Sequence, residues 1–297
     1  MEGESIYIPK GLNLLVDIDS TPILNAIVVE GSLIFAPEAD ANHERYFDAY
    51  YIFVNSGTME VGTEAHPYTS KLTITMHGNV SDPYIPVYGN KVIGVRYGVL
   101  DMHGVKREPT WTSLAKTVEA NANQITVQGP VDWVAGDVIG IASSSYNGRE
   151  AEKRTITDVN SANPEKVILT LDEPLLFKHL GVMEYYGGTT YPDDFIELRA
   201  EVGLLSRNVK FVGDNSTSED NQYGANMFLH SEGDESLVSR IEYIELYQTG
   251  QAFKVGRYSI HHHMIGTVAK SYIKGISCHT SFNSMITLHA VRYLTID

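Results

Sequence analysis

The chain has 297 residues, with 22 basic and 37 acidic side chains and a formal charge of −15 at neutral pH. That field excludes nucleic acid or an anionic membrane as a partner held by average charge, and the 43% hydrophobic content excludes wholesale disorder. Cys278 is the only cysteine, which excludes an internal disulfide; it reads as a small buried hydrophobe.

The first residues, MEGESIYIPKG, lack the basic start and apolar run of a secretory signal. No apolar stretch reaches the roughly 20 residues of a membrane span. Two sequons, Asn79-Val80-Ser81 and Asn215-Ser216-Thr217, permit secretion. The end, YLTID, falls inside a strand-like pattern, so the chain reads as a piece of a longer protein.

Taken in order, the elements are overwhelmingly β. Short runs rich in Val, Ile, Thr, Tyr and Phe predict strands over 26–35, 51–61, 71–77, 91–102, 124–127, 137–141 and 166–171. Helical periodicity is poor, and only 113–120 suggests one short helical turn. A glycine, one residue and a large apolar residue recur at Gly31-Ser32-Leu33, Gly57-Thr58-Met59 and Gly98-Val99-Leu100, and TMHGN (75–79) is echoed by DMHGV (101–105). Such spacing predicts stacked coils of a solenoid sharing one core; a β-sandwich is the rival all-β reading and explains the glycines less well. After a Tyr/Gly/Asp-rich connection over 183–194, strand-like pieces resume at 201–212, 226–230, 240–247, 251–255, 259–265, 271–279, 284–288 and 291–296. Asn208, Asn215, Asn221 and Asn283 suit the turns between coils. The acidic group Glu232, Asp234 and Glu235 reads as a solvated turn, since its spacing does not match a dedicated calcium loop, the alternative reading.

The stretches IVVEGSLIF, IFVNSGTMEVGTE, ITMHG, GVLDMHG, PTWTSLAKT, VDWVAGDVIGIASSSYNGREAEKRTIT and LDEPLLFKHLG resemble the eight-glycine domain of extracellular fibrocystin-like proteins and of the cell-migration-inducing and transmembrane hyaluronidases. RAEVGLLSRNVKFVGD, QYGANMFLH, IEYIELYQTGQAFKVGRYSIHHHMIG and SYIKGISCHTSFN resemble the right-handed β-helix that follows it. The resemblance implies an all-β chain, with an eight-glycine domain over 1–183 stacked on a right-handed parallel β-helix over 184–297. It also implies an extracellular or cell-surface location. Some relatives are linked to hyaluronan depolymerisation and others are ectodomains without assigned chemistry, so fold does not decide function. His262 departs from the family pattern, which expects an apolar residue there.

GRYSIHHHMIG (256–266) carries the strongest chemical signal. In an extended segment, Arg257, Ser259, His261 and His263 share one face, and Tyr258, Ile260, His262 and Met264 the other. His261 and His263 then stand about 6.6 Å apart along the strand. That suits two ligands of a zinc or calcium ion, with His289, Glu245 or His279 as the third. It equally suits an acid and a base near neutral pH, or a purely structural ladder. Arg257 can grip a uronic carboxylate or pair with Glu242 or Glu245. His262 reads as a satisfied interior histidine. His77 and His103 read as repeated structural positions, with a metal or sugar contact as the alternative. Trp133 reads as core, and Trp111 as a sugar-stacking candidate beside Glu242, Glu245 and His289 as substrate contacts.

Two classes of function remain open. The first acts on an acidic, hyaluronan-like polysaccharide, with Arg257, His261 and His263 as catalytic candidates in hydrolysis or β-elimination. The second is a non-catalytic ectodomain module that binds glycan or a cell-surface protein, or acts as a spacer. A structural protein assembling through an open solenoid end is a weaker third. A positive groove around Arg257 favours the first class and a negative one the second.

Overall fold

The computed structural model describes residues 3–187, 194–233 and 235–297; Asp234 lies outside them. The chain forms two compact units, Met1–Lys106 together with Arg207–Asp297, and Arg107–Ser206.

The first unit is built from coils whose short strands pair in parallel with those of the next coil. One ladder runs through Asn13–Val16, Ser32–Phe35, Thr58–Val61, Val99–His103, Val238–Glu242, Tyr272–Lys274 and Thr295–Ile296. Another starts with Ile6–Ile8 and Leu24–Val29 and reaches the 12-residue strand Glu44–Asn55. There it divides. Residues 44–49 pair with Lys71–Met76, on which Val209–Gly213, Ile244–Tyr247 and Ser277–His279 follow. Residues 51–55 pair with Val92–Arg96, followed by Asn226–His230, Ile260–Thr267 and Ile286–Arg292. Connections between parallel strands of one sheet are right-handed in about 98% of cases, and the unit is the expected right-handed parallel β-helix.

Alternation sets its interior. In Lys71–Met76, Leu72, Ile74 and Met76 point inward and are buried, while Lys71 is exposed. Each such apolar side chain contributes roughly 1.5–3 kcal/mol by leaving water. The glycine repeat marks the corners. A Cβ on Gly57 would lie 2.5 Å from Val29 O and 2.6 Å from Gly31 O, and one on Gly98 would lie 2.7 Å from Gly57 O. Thr58 N donates to Gly31 O and Val99 N to Gly57 O, so each corner rests directly on the one before. The predicted strands 26–35, 51–61 and 91–102 are each two strands on different sheets, separated by a tight corner at Gly31, Gly57 or Gly98, and 201–212, 240–247 and 271–279 divide in the same way.

Two further corrections concern local structure. The Met-His-Gly echo does not mark equivalent positions, since His77 follows Lys71–Met76 and His103 ends Val99–His103, on different ladders. Residues 113–120 form no helix; among the described residues the helical turns are Gly148–Glu150 and Ser218–Asn221.

The second unit is antiparallel. Its strands run in the order Trp111–Ser113, Glu201–Leu204, Val138–Ile141, Glu152–Asn160, Lys166–Leu171 and Gln124–Gln128. A bridge between Leu114 and Val127 joins the two ends, closing the sheet into a barrel without open edges. Trp133, Ile139, Leu169 and Val202 fill it. Glu152 is buried against His179 at 3.0 Å and accepts the backbone N–H groups of Leu176 and Phe177. Burial opposes its charge, but these bonds and Arg154 hold its carboxyl below the ordinary range.

A boundary at 183/184 therefore falls within the barrel unit. Strands before residue 107 pair directly with strands after 206, so 3–106 are the opening coils of the same solenoid that 207–297 continue. No helix of the described residues is long and apolar enough to cross a membrane.

Candidate functional site

Strand Ile260–Thr267 presents the histidine run. Alternation holds from 260 to 263: Ile260 and His262 are fully buried in the solenoid, while His261 and His263 face the other way. His262 takes an inward position expected to be apolar, and Ser239 across the core answers it, its Oγ 2.7 Å from His262 Nε2. Burial pushes the His262 imidazole down to about 4, so it is neutral near pH 7.

Outside 260–263 the predicted faces fail. Met264 has φ 51° at a bulge in the pairing with Ile286–Arg292, which turns it outward. Ser259 precedes the strand and is buried, donating to or accepting from Thr249, Ser281 and Cys278 rather than facing the cleft. Tyr258, expected in the core, packs edge-on to His261 with ring centres 5.0 Å apart.

His261, His263 and Arg257 line a cleft of about 570 Å³ with Tyr258, Phe228 and His289. Parallel register creates the histidine column. His263 pairs with His230 on one neighbouring strand and with His289 on the other. His230 Nδ1 donates to His263 O at 2.8 Å, and His263 Nδ1 lies 3.3 Å from His289 Nδ1. His261 Nδ1 donates to Gly256 O at 2.9 Å. A carbonyl only accepts, so this fixes the proton on Nδ1 and leaves Nε2 with a free lone pair. Burial, and next to it His263, His289 and Arg257, push His261 down to about 4; burial and the same neighbourhood of cations and imidazoles push His263 down.

Arg257 comes from the loop before the strand, where Gly256 has φ 82°. Its guanidinium sits 4.9 Å from the centre of the Phe228 ring and donates through Nη2 to Val87 O at 3.0 Å. Nη1 is buried without a hydrogen-bond partner. Gly89 leaves the room, since a Cβ there would lie 2.6 Å from Arg257 Nε. Among the described residues, no aspartate or glutamate lines the cleft. The chain's acidic excess thus stops short of it, and Arg257 is an uncompensated cation beside imidazoles.

Other sequence candidates lie elsewhere. Glu245 accepts from Arg207 N at 3.0 Å and lies 3.1 Å from His279 Nε2, on the ladder of Ile244–Tyr247 and Ser277–His279. Burial opposes its charge, but His279, Lys210 and the Arg207 N–H hold its carboxyl below the ordinary range. Glu242 lies 3.3 Å from His103 Nδ1 on the ladder of Val99–His103 and Val238–Glu242. Neither reaches Arg257. Of the expected third ligands, His289 joins the histidine pair, and Glu245 and His279 do not. Trp111 is exposed on the second unit and is not part of the lining; Trp133 is core. His77 binds Asp48 at 2.7 Å. Glu232 and Glu235 are exposed, as a solvated turn requires. Cys278 is partly buried against the core, which raises its thiol.

Sequence reasoning missed Val87, Phe228 and His230. His230 precedes His263 by 33 residues and His289 follows it by 26, so no fixed period exposes the column.

Residues 1–115 match the family described as G8 domain, and residues 222–297 match that described as CEMIP beta-helix. The whole chain aligns with fibrocystin-L of Mus musculus at 36% identity and with fibrocystin-L of Homo sapiens at 33%, spanning 8% of the length of each. The resemblance read from the sequence is borne out. Among solved structures, the tailspike protein gp49 of Pseudomonas phage LKA1 is similar over 97% of this chain and 42% of its own, at 14% identity and a TM-score of 0.26; nothing about the site rests on that likeness.

Proposed function

We propose that the solenoid binds an acidic, uronate-containing polysaccharide of the hyaluronan kind in the Arg257 cleft, outside the cell or at its surface. The observation that carries this is Arg257 itself, a half-buried guanidinium with a partnerless Nη1 and no carboxylate in the surrounding wall. A desolvated cation without a counter-ion costs stability, and a planar carboxylate is the ligand that its fork matches. Exposed Val255 and Leu288 offer apolar surface for the sugar rings. Kinship with fibrocystin-L supports the location.

The test compares hyaluronan oligosaccharides with neutral dextran oligosaccharides by calorimetry. Wild type should bind the first and not the second. Arg257→Gln should bind on the order of ten- to a hundred-fold more weakly, the worth of a charge-assisted pair. Equal binding by the variant, or equal binding of dextran, would remove the reading.

A catalytic version of the same cleft would be an eliminase rather than a hydrolase, because among the described residues no carboxylate lines it. Hydrolysis of a glycosidic bond ordinarily uses two flanking carboxylates. Elimination needs only a neutralised uronate and a base. Arg257 would hold the carboxylate and neutral His263 would take the proton from carbon 5. The bond from carbon 4 to the bridging oxygen then breaks, a double bond forms between carbons 4 and 5, and water protonates the leaving oxygen. Hyaluronan incubated with wild type should shorten and gain ultraviolet absorbance from the unsaturated ends. Polymer of unchanged length leaves the cleft as a binding site.

A further inference from the structure

We propose that His261, His263 and His289 form a three-imidazole site for a zinc-class divalent ion, open on its cleft side. Their ligand nitrogens all lie within 4.8 Å of one another. His263 Nδ1 and His289 Nδ1 are 3.3 Å apart. A tetrahedral ion with Zn–N bonds of about 2.0–2.1 Å separates its ligand atoms by about 3.3–3.4 Å, so this pair already spans one edge of the coordination shell. The bland alternative for the same pair is a single N–H···N hydrogen bond.

Three features separate the site from a chance group of surface histidines. The first is positioning by backbone. His263 and His289 are direct partners in a parallel ladder, and His261 shares the strand and the face of His263. The second is the fixed tautomer of His261, whose Nδ1–H is spent on Gly256 O, leaving Nε2 as donor to a metal. A ligating imidazole held through its other nitrogen by a carbonyl is the usual outer-shell arrangement. The third is the donor set. It is all nitrogen, with no carboxylate in the lining. Imidazoles suit zinc, copper or nickel, whereas calcium takes 6–8 oxygens, so the expectation of zinc or calcium narrows to zinc.

Arg257 shares the cleft, and its charge opposes a bare dication. An anion lying between them relieves that repulsion. Three protein ligands leave a fourth position, and a carboxylate or water can fill it. Zinc and a carboxylate should therefore bind with positive coupling, each tightening the other by the same factor.

The site stands in the cleft of the proposed glycan reading but does not depend on it, because the ion is titrated without glycan. Zinc chloride is titrated into the intact 297-residue chain by calorimetry, and cobalt(II) is added separately for its visible spectrum. One zinc per chain and the intense bands of low-coordinate cobalt are expected. His289 is exposed, so His289→Ala should fold; it should bind zinc more weakly by on the order of 10–100-fold or more. His66→Ala, at an exposed histidine outside the cleft, should bind as wild type does. Arg257→Gln should keep zinc while losing hyaluronan, so the two readings fail separately. Absence of zinc binding by wild type, or equal affinity in His289→Ala, overturns the proposal; His263→Ala supplies the same test independently.

Discussion

The same coils present two histidine-bearing faces that differ in one respect. On the ladder of Ile244–Tyr247 and Ser277–His279, His279 meets Glu245, which also takes Arg207 N–H and lies 3.3 Å from Lys210 Nζ. On the ladder of Ile260–Thr267 and Ile286–Arg292, three histidines, with Arg257 from the preceding loop, meet no carboxylate among the described residues. On the first face the charges close on one another, and only His279 Nδ1, buried among the described residues without a partner, is left over. On the second face lone pairs and a cation stay open. The composition of a chain carrying −15 gives no hint that an acid-free surface exists on it.

The largest expected effect tests the closed face. Glu245→Ala removes the acceptor of a buried network and should destabilise by about 3 kcal/mol, read from the urea midpoint, while hyaluronan binding stays as in wild type. Loss of binding would break the comparison. Next comes acid. His262 is fully buried and neutral, with its imidazole pushed from 6.5 to about 4. The unfolded state therefore takes a proton that the folded state refuses. Its contribution is complete above about pH 6.5 and is lost as pH falls towards 4, at about 1.4 kcal/mol per unit. Replacing both partners, His262→Leu with Ser239→Ala, should flatten that part of the melting-temperature profile.

Smaller effects sharpen the contrast. Gly89→Ala places a Cβ against the Arg257 guanidinium at φ 89°. It should cost roughly 1 kcal/mol of stability and weaken hyaluronan binding less than Arg257→Gln does. His279→Ala should cost about 1 kcal/mol and leave both hyaluronan and zinc unaffected. A change in either would show that the two faces communicate.

Much of this was legible in the sequence. The corner glycines announce stacked coils because a Cβ at Gly57 would collide with the preceding corner, whatever residues flank it. The opposed faces of His261 and His262 follow from strand alternation alone. Legibility ended where alternation did, at the loop carrying Tyr258 and Ser259 and at the bulge turning Met264 outward. Glu242 and Glu245 were assigned to the cleft because they lie one coil earlier in sequence. A coil has three faces, however, and sequence distance does not say which one a residue takes. The resemblance divides the chain after residue 183, at the Tyr/Gly/Asp-rich connection, whereas the contacts divide it at 106 and 206.

The insertion of the barrel between two coils that pair directly has a consequence for biosynthesis. Val209–Gly213 must find Lys71–Met76 and Val238–Glu242 must find Val99–His103, each across more than a hundred residues of intervening chain. Val105 N donates to Asn208 Oδ1, so the chain leaves the solenoid and re-enters it at neighbouring points. During vectorial synthesis the coils up to residue 103 emerge first, with their last rung unpaired and their end open. That end waits while the following hundred residues leave the ribosome. Domains fold as units as they emerge, and a barrel that closes upon itself returns the chain to where it left, which shortens the loop the next coil must close. Slow folding of the barrel should then prolong the exposure of the open solenoid end in the nascent chain.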